Sequence, residues 1–202
     1  MTPNGCFAGT LIHTNNGLIP IEEVRVGDWL LSQPEAQIGF ARAFRQVSEI
    51  FSFAEHAVLL FRCYKPGGGS IEQFVVTANY AFWVVGLGWA RADQIDMGRE
   101  LELADGTVAT TLCARPIYRT SKVGIGWVTG AWGAEANNGA GNLVDLRDGS
   151  IVVGTEDTFN SDCLDDQGRY APFSACVFNL NVDECHTYFV GTEGVWVRSL
   201  WK

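Results

Sequence analysis

Turn-forming residues interrupt this chain too often for long helices. Asn-Asn-Gly at 15–17, Gly27-Asp28, the run Pro66 to Gly69, Ala104 to Gly106 and Glu193-Gly194 each end an apolar run within a few residues. Those runs are rich in Val, Ile, Phe and Trp, side chains that suit a pleated, half-buried surface. "GTLIHTNNGLIPI", Gly9 to Ile21, reads as strand, Asn-Gly turn, strand. "FRQVSEIFSFAEHAVLLFRCYKPGGGSIEQFVVTANYAFWVV" holds three or four strands. "ACVFNLNVDECHTYFVGTEGVWVRS" reads as strand, tight corner, strand, turn, strand. One window, Arg91 to Leu101, predicts a helix of two turns at most. Many short strands joined by turns imply an all-β domain.

The 202 residues suit one domain with a real core, and 47% apolar against 18% charged residues is globular composition. From Ser121 to Ser174 the texture turns rich in Gly, Asn and Asp, which predicts an elaborated segment with two or three strands and long loops. A net charge of −9 repels a phosphate backbone, and Lys and Arg are scattered, so no nucleic-acid partner is expected. No apolar run reaches membrane-spanning length. The N-terminus lacks the basic-then-apolar pattern of a signal peptide.

Six cysteines (6, 63, 113, 163, 176 and 185) contain no C-x-x-C pair, and His13, His56 and His186 form no H-x-x-x-H. No metal and no cofactor are expected. Cys163 and Cys176 are placed to close a loop in an oxidising compartment; a reduced chain with buried thiols is the alternative. Among the tryptophans, Trp127 and Trp132 in the Gly-rich segment are expected to be the exposed ones. The acidic stretch Glu156 to Asp166 lacks the spacing of an EF-hand loop and reads as a solvated face.

Three segments share one pattern. They are "CFAGTLIHTNNGLIPIEEVRVGDWLLS" from Cys6, "VVTANYAFWVVGLGWARADQIDMGRELELADG" from Val75 and "VFNLNVDECHTYFVGTEGVWVRS" from Val177. Together they resemble the Hint fold of inteins and hedgehog autoprocessing domains, and their wording is most similar to the pretoxin-Hint type of bacterial polymorphic toxins. The resemblance implies a horseshoe of short strands. It implies a single Hint-like domain over residues 1–202, with motif-bearing parts 6–106 and 177–199 and an insertion over about 107–176.

The resemblance also implies a reaction. A cysteine thiol attacks the carbonyl of the residue before it, and the peptide becomes a thioester. Cys6 matches the nucleophile and Gly5 carries the scissile carbonyl. Thr77 matches the threonine of a Thr-x-x-His motif, but Tyr80 stands where that motif has its histidine. A phenol is a weak acid near neutral pH. His186 matches the histidine of the third segment. At the C-terminal end Arg198-Ser199 stands in place of His-Asn. Serine has no amide nitrogen to cyclise and arginine holds its proton, so no C-terminal cleavage or splicing is expected.

The expected function is therefore slow or degenerate autoprocessing at Gly5–Cys6 within a polymorphic-toxin or secreted-effector system. The partner would be the chain's own flanking polypeptide or a toxin protein. The expected location is the bacterial cytoplasm, with export as part of an effector. Two other readings stay open: an inactive Hint fold acting as a binding, adaptor or immunity-like module, and a toxic effector that itself uses Cys6. The bland readings are a fold relic for Cys6, a strand-end residue for Thr77, packing for Tyr80 and a satisfied core histidine for His186.

Overall fold

A computed structural model describes residues 3–35, 41–67, 70–129, 141–148, 152–157, 164 and 166–199. The described residues form strands and two short 3-10 turns, Ile21–Glu23 and Ala92–Gln94. The all-β expectation holds. The two-turn helix does not: residues 91–101 give one strand end, the Ala92–Gln94 turn, a Gly98 in the left-handed region and the start of another strand. Ala92 and Ile95 point into the core, which fixes this segment as a turn with two anchors instead of a helical face.

The main sheet runs through thirteen strands. The first four are β1 (Cys6–Phe7), β2 (Leu11–Thr14), β3 (Gly17–Pro20) and β4 (Trp29–Ser32). Next come β5 (Ala43–Tyr64), β6 (Ile71–Thr77), β7 (Ala81–Val84), β8 (Gly88–Arg91), β9 (Glu100–Glu102) and β10 (Val108–Pro116). The predicted hairpin from Gly9 is β2 and β3, paired from Leu11–Pro20 to Thr14–Gly17. The segment from Phe44 to Val85 holds three strands, β5, β6 and β7, in line with the three or four expected, and the first runs without a break over residues 43–64. It bends at Glu55, whose φ of 53° lies in the left-handed region, opposite a register shift in its partner.

A second sheet is built by β11 (Tyr118–Arg119), β12 (Ile125–Thr129), β13 (Gly141–Asp145) and β14 (Val152–Asp157). The Gly-rich texture of the sequence falls here. Trp127, expected at the surface, is only 1% exposed. It lies between Tyr118 and Tyr170, and Gly141 leaves the room: a Cβ there would stand 2.3 Å from the indole. Burial of a large aromatic won over the loop-like composition around it. Trp132 and Cys163 lie outside the described residues, as does most of the acidic stretch. Cys176 is exposed.

The chain closes with β15 (Ser174–Val182), β16 (Thr187–Val190) and β17 (Val195–Arg198) in the main sheet, as the strand–corner–strand–turn–strand reading requires. Strand order explains the shape. The path β10-β9-β7-β17-β16-β2-β4-β5 returns to its start because β10 also pairs with β5. A smaller circuit, β5-β15-β1-β6, closes because β6 pairs with β5. The long β5 serves both circuits. Closure leaves the side strands β3 and β8 as the edges of the main sheet among the described residues, and long open edges are a liability for a sheet this large. It also buries β1, a two-residue strand, between β15 and β6.

Candidate functional site

β1 is too short to hold itself, so its neighbours define its geometry. Cys6 pairs with Phe178 on one side and Val76 on the other. Asn4, Gly5 and Cys6 are all buried.

Each carbonyl of residues 3–5 has a donor. The Asn79 side chain donates to Pro3 O at 3.2 Å. The Asn179 side chain donates to Asn4 O at 3.1 Å. The Thr77 backbone N–H donates to Gly5 O at 3.0 Å, and its hydroxyl lies 3.5 Å from the same oxygen. Gly5 N–H in turn donates to Thr77 Oγ1 at 3.1 Å. One threonine therefore brackets the Gly5 peptide unit from both ends. Two donors on one carbonyl, next to a thiol, is the arrangement that stabilises an oxyanion.

The sequence builds Thr77 into this position locally. β6 ends there, and Tyr80 N–H donates to Thr77 O at 3.0 Å, a four-residue turn. The 3-10 turn at Ala92–Gln94 clasps it: Ala92 N–H donates to Tyr80 O and Asp93 N–H to Ala78 O. The turn aims the Thr77 amide and the Tyr80 ring toward Gly5 and Cys6.

Glycine at position 5 is a requirement of space. Its φ is not in the left-handed region. A Cβ, however, would lie 2.4 Å from Phe178 O and 2.9 Å from Phe178 C, both main-chain atoms.

The thiol is fully buried. Burial pushes Cys6 up to about 12, and hydrogen bonds with Thr10 and Tyr80 pull it back only in part. Tyr80 and Tyr188 are fully buried, and burial raises both phenols well above their ordinary value. Tyr80 Oη and Tyr188 Oη are 2.8 Å apart, and Tyr188 donates to Asn179 Oδ1 at 2.9 Å. Since Tyr188 spends its proton on Asn179, Tyr80 donates to Tyr188, while the thiol is directed at Phe178 O, 3.9 Å from Sγ. The line Tyr80–Tyr188–Asn179 ends on a carboxamide, which takes no proton. It offers no base to the thiol beside it.

His186 has other partners. It occupies the corner between β15 and β16 with φ of 55°, and its ring Nδ1 lies 2.8 Å from Asn181 Oδ1. Its carbonyl accepts from Ser199 N–H at 2.8 Å. His186 thus belongs with the C-terminal pair. Ser199 is buried, and Arg198 forms an ion pair with Glu35 at 2.9 Å. Gly5, Cys6, Thr77 and Tyr80 come together; His186, Arg198 and Ser199 form a second group. Sequence reasoning missed Asn179 and Tyr188, which complete the first group. Both lie inside the third segment, and Tyr188 is two residues beyond His186, on β16.

A buried thiol with a raised pKa ties stability to pH. The protonated thiol is favoured in the folded chain, so its contribution is complete below pH 9 and is lost as pH rises toward 12. Cys63, also pushed up to about 12 by burial, acts in the same direction. The urea midpoint is expected to fall between pH 9 and 11, and a Cys6→Ala/Cys63→Ala variant to show a shallower fall. Denaturation curves at several pH values check this.

No protein-family model matches the sequence. No curated protein matches it either. Solved structures do match. A bacterial intein-like domain from Clostridium thermocellum superposes with TM-score 0.61 at 21% identity, covering 98% of this chain and all of that one. A DnaB intein from Synechocystis sp. PCC 6803 gives 0.56 at 13% identity, covering 98% and 100%. The gp41-1 intein gives 0.53 at 10% identity with the same coverage. At these identities the likeness concerns architecture, and that architecture matches over nearly the whole of each chain: this chain has the Hint/intein fold.

Proposed function

We propose that this chain is a slow autoprocessing Hint domain of a bacterial polymorphic-toxin or secreted-effector system, acting on its own Gly5–Cys6 bond. The observation that carries the reading is the bracketing of Gly5 by Thr77, with two donors directed at the carbonyl beside a buried thiol. In the reaction Cys6 Sγ bonds to the Gly5 carbonyl carbon, the C–N bond to Cys6 breaks, and the thiol proton ends on the freed Cys6 amine. The product is a thioester. A thiol with its pKa near 12 is almost wholly protonated at pH 7, and Tyr80 is a poor acid for the leaving nitrogen, so the rate is low. Ser199 offers no carboxamide, and no step is assigned to the C-terminal group.

The test is a reporter protein fused ahead of Pro3 and incubated with and without dithiothreitol, followed by intact mass. Thiol-dependent release, faster at pH 9 than at pH 7 and absent in Cys6→Ala, is expected. Tyr80→His supplies a better acid and is expected to release faster than the parent; equal rates would show that position 80 does not protonate the leaving group. An unchanged mass over days would favour the second reading, a binding or adaptor module, to which the neutral thiol and the proton-blocked tyrosine line already lend weight.

A further inference from the structure

Asn179 makes more contacts with the segment before Cys6 than the proposed reaction uses. Its side-chain nitrogen donates to Asn4 O at 3.1 Å and also to Asn4 Oδ1 at 2.8 Å. Its Oδ1 accepts from Tyr188 at 2.9 Å and from Leu180 N–H at 2.8 Å. Asn4 and Asn179 are both 0% exposed. The Asn4 side-chain nitrogen is buried with no hydrogen-bond partner among the described residues. A buried donor left unpaired is costly and uncommon in a folded chain. Asn4 is thus held at position 4 by its oxygen, against a penalty on its nitrogen.

Resting on the autoprocessing reading, we propose that Asn179 is a specificity residue that selects a carboxamide at position 4, so that the substrate class is a strand ending Asn-Gly before the thiol. The side-chain bond distinguishes position 4 from its neighbours. Pro3 is held only through its carbonyl, which any residue supplies. Gly5 is selected by space. Among residues 3–5, Asn4 alone is read through a side-chain atom. An aspartate there would bring a charge into a fully buried place, a leucine of similar shape offers no acceptor, and a glutamine is longer by a methylene. The same Asn179 carboxamide anchors Tyr188, and through it Tyr80. Loss of the Asn4 contact frees the end of that line.

Two measurements on the same substitutions test this. The first is thiol-induced release of a reporter fused ahead of Pro3. The second is hydrogen exchange of the Gly5 and Cys6 amides in the unfused chain, which needs no catalysis. Asn4→Leu is expected to slow release at least tenfold and to speed exchange at Gly5 and Cys6 at least tenfold, with amides of β16 and β17 unchanged. Pro3→Ala is expected to leave both within about twofold, since the carbonyl remains. If Asn4→Leu does not fold, Asn4→Ser is read the same way, because its hydroxyl is too short to reach Asn179. Exchange within twofold of the parent overturns the selection of position 4, whatever the release rate. Faster local exchange in a chain whose parent fusion releases nothing leaves the recognition standing and removes the autoprocessing reading.

Discussion

Gly5→Ala is expected to cut thiol-induced release at least a hundredfold while leaving the fold in place. The added Cβ would sit 2.4 Å from Phe178 O, so either β1 or β15 must move. The obstacle is main chain, and no substitution of the Phe178 side chain relieves it. Phe178 also belongs to the longest pairing in the molecule, β15 against β5. The two-residue β1 is the part that yields. Moving it carries the Gly5 carbonyl away from the Thr77 N–H, now at 3.0 Å. A misplacement of about 1 Å at a reacting group costs roughly a hundredfold in rate. The same overpacking should destabilise the chain by about 1–3 kcal/mol. Release kinetics and a urea midpoint measured on one sample separate the two effects. Release within threefold of the parent would mean that β1 is not held at the spacing described.

Much of the fold was legible because closed β-circuits leave a local signature. The Asn-Asn-Gly turn of β2 and β3 and the Glu193-Gly194 turn between β16 and β17 are short-range features, and both are where the sequence places them. What escaped depended on tertiary contact. The sequence reads three or four strands between Phe44 and Val85 without bounding them; pairing with β4, β15, β6 and β10 is what makes residues 43–64 one bent strand. Trp127 sits in loop-like composition, and its burial depends on Tyr170 and Gly141, both distant in sequence. At the site, Cys6, Gly5, Thr77 and Tyr80 were visible through motif spacing. Asn179 and Tyr188 were not, since an Asn and a Tyr on a strand carry no signal until the strand is placed beside β1. His186 was visible as a residue, but its bonds to Asn181 and Ser199 follow only from the corner at 183–186.

Thr77→Val should act more selectively than Gly5→Ala. Valine keeps the shape of threonine and the backbone N–H that donates to Gly5 O, and it removes only the hydroxyl. That hydroxyl has two duties. It accepts from Gly5 N–H at 3.1 Å in the resting chain, and it lies 3.5 Å from Gly5 O, a long contact that shortens as the carbonyl carbon becomes tetrahedral. The first duty concerns stability: a buried N–H left without a partner costs about 1–3 kcal/mol. The second concerns rate: loss of one oxyanion donor costs about a hundred- to a thousandfold. Thr77→Ser keeps the hydroxyl and should restore most of the rate, with a smaller recovery of stability because a methyl group is lost from a buried site. A Thr77→Val chain that is destabilised yet releases its reporter at the parental rate would show that the backbone N–H alone serves the oxyanion. In that case the threonine hydroxyl acts on the Gly5 nitrogen, holding the peptide unit in place for the thiol beside it.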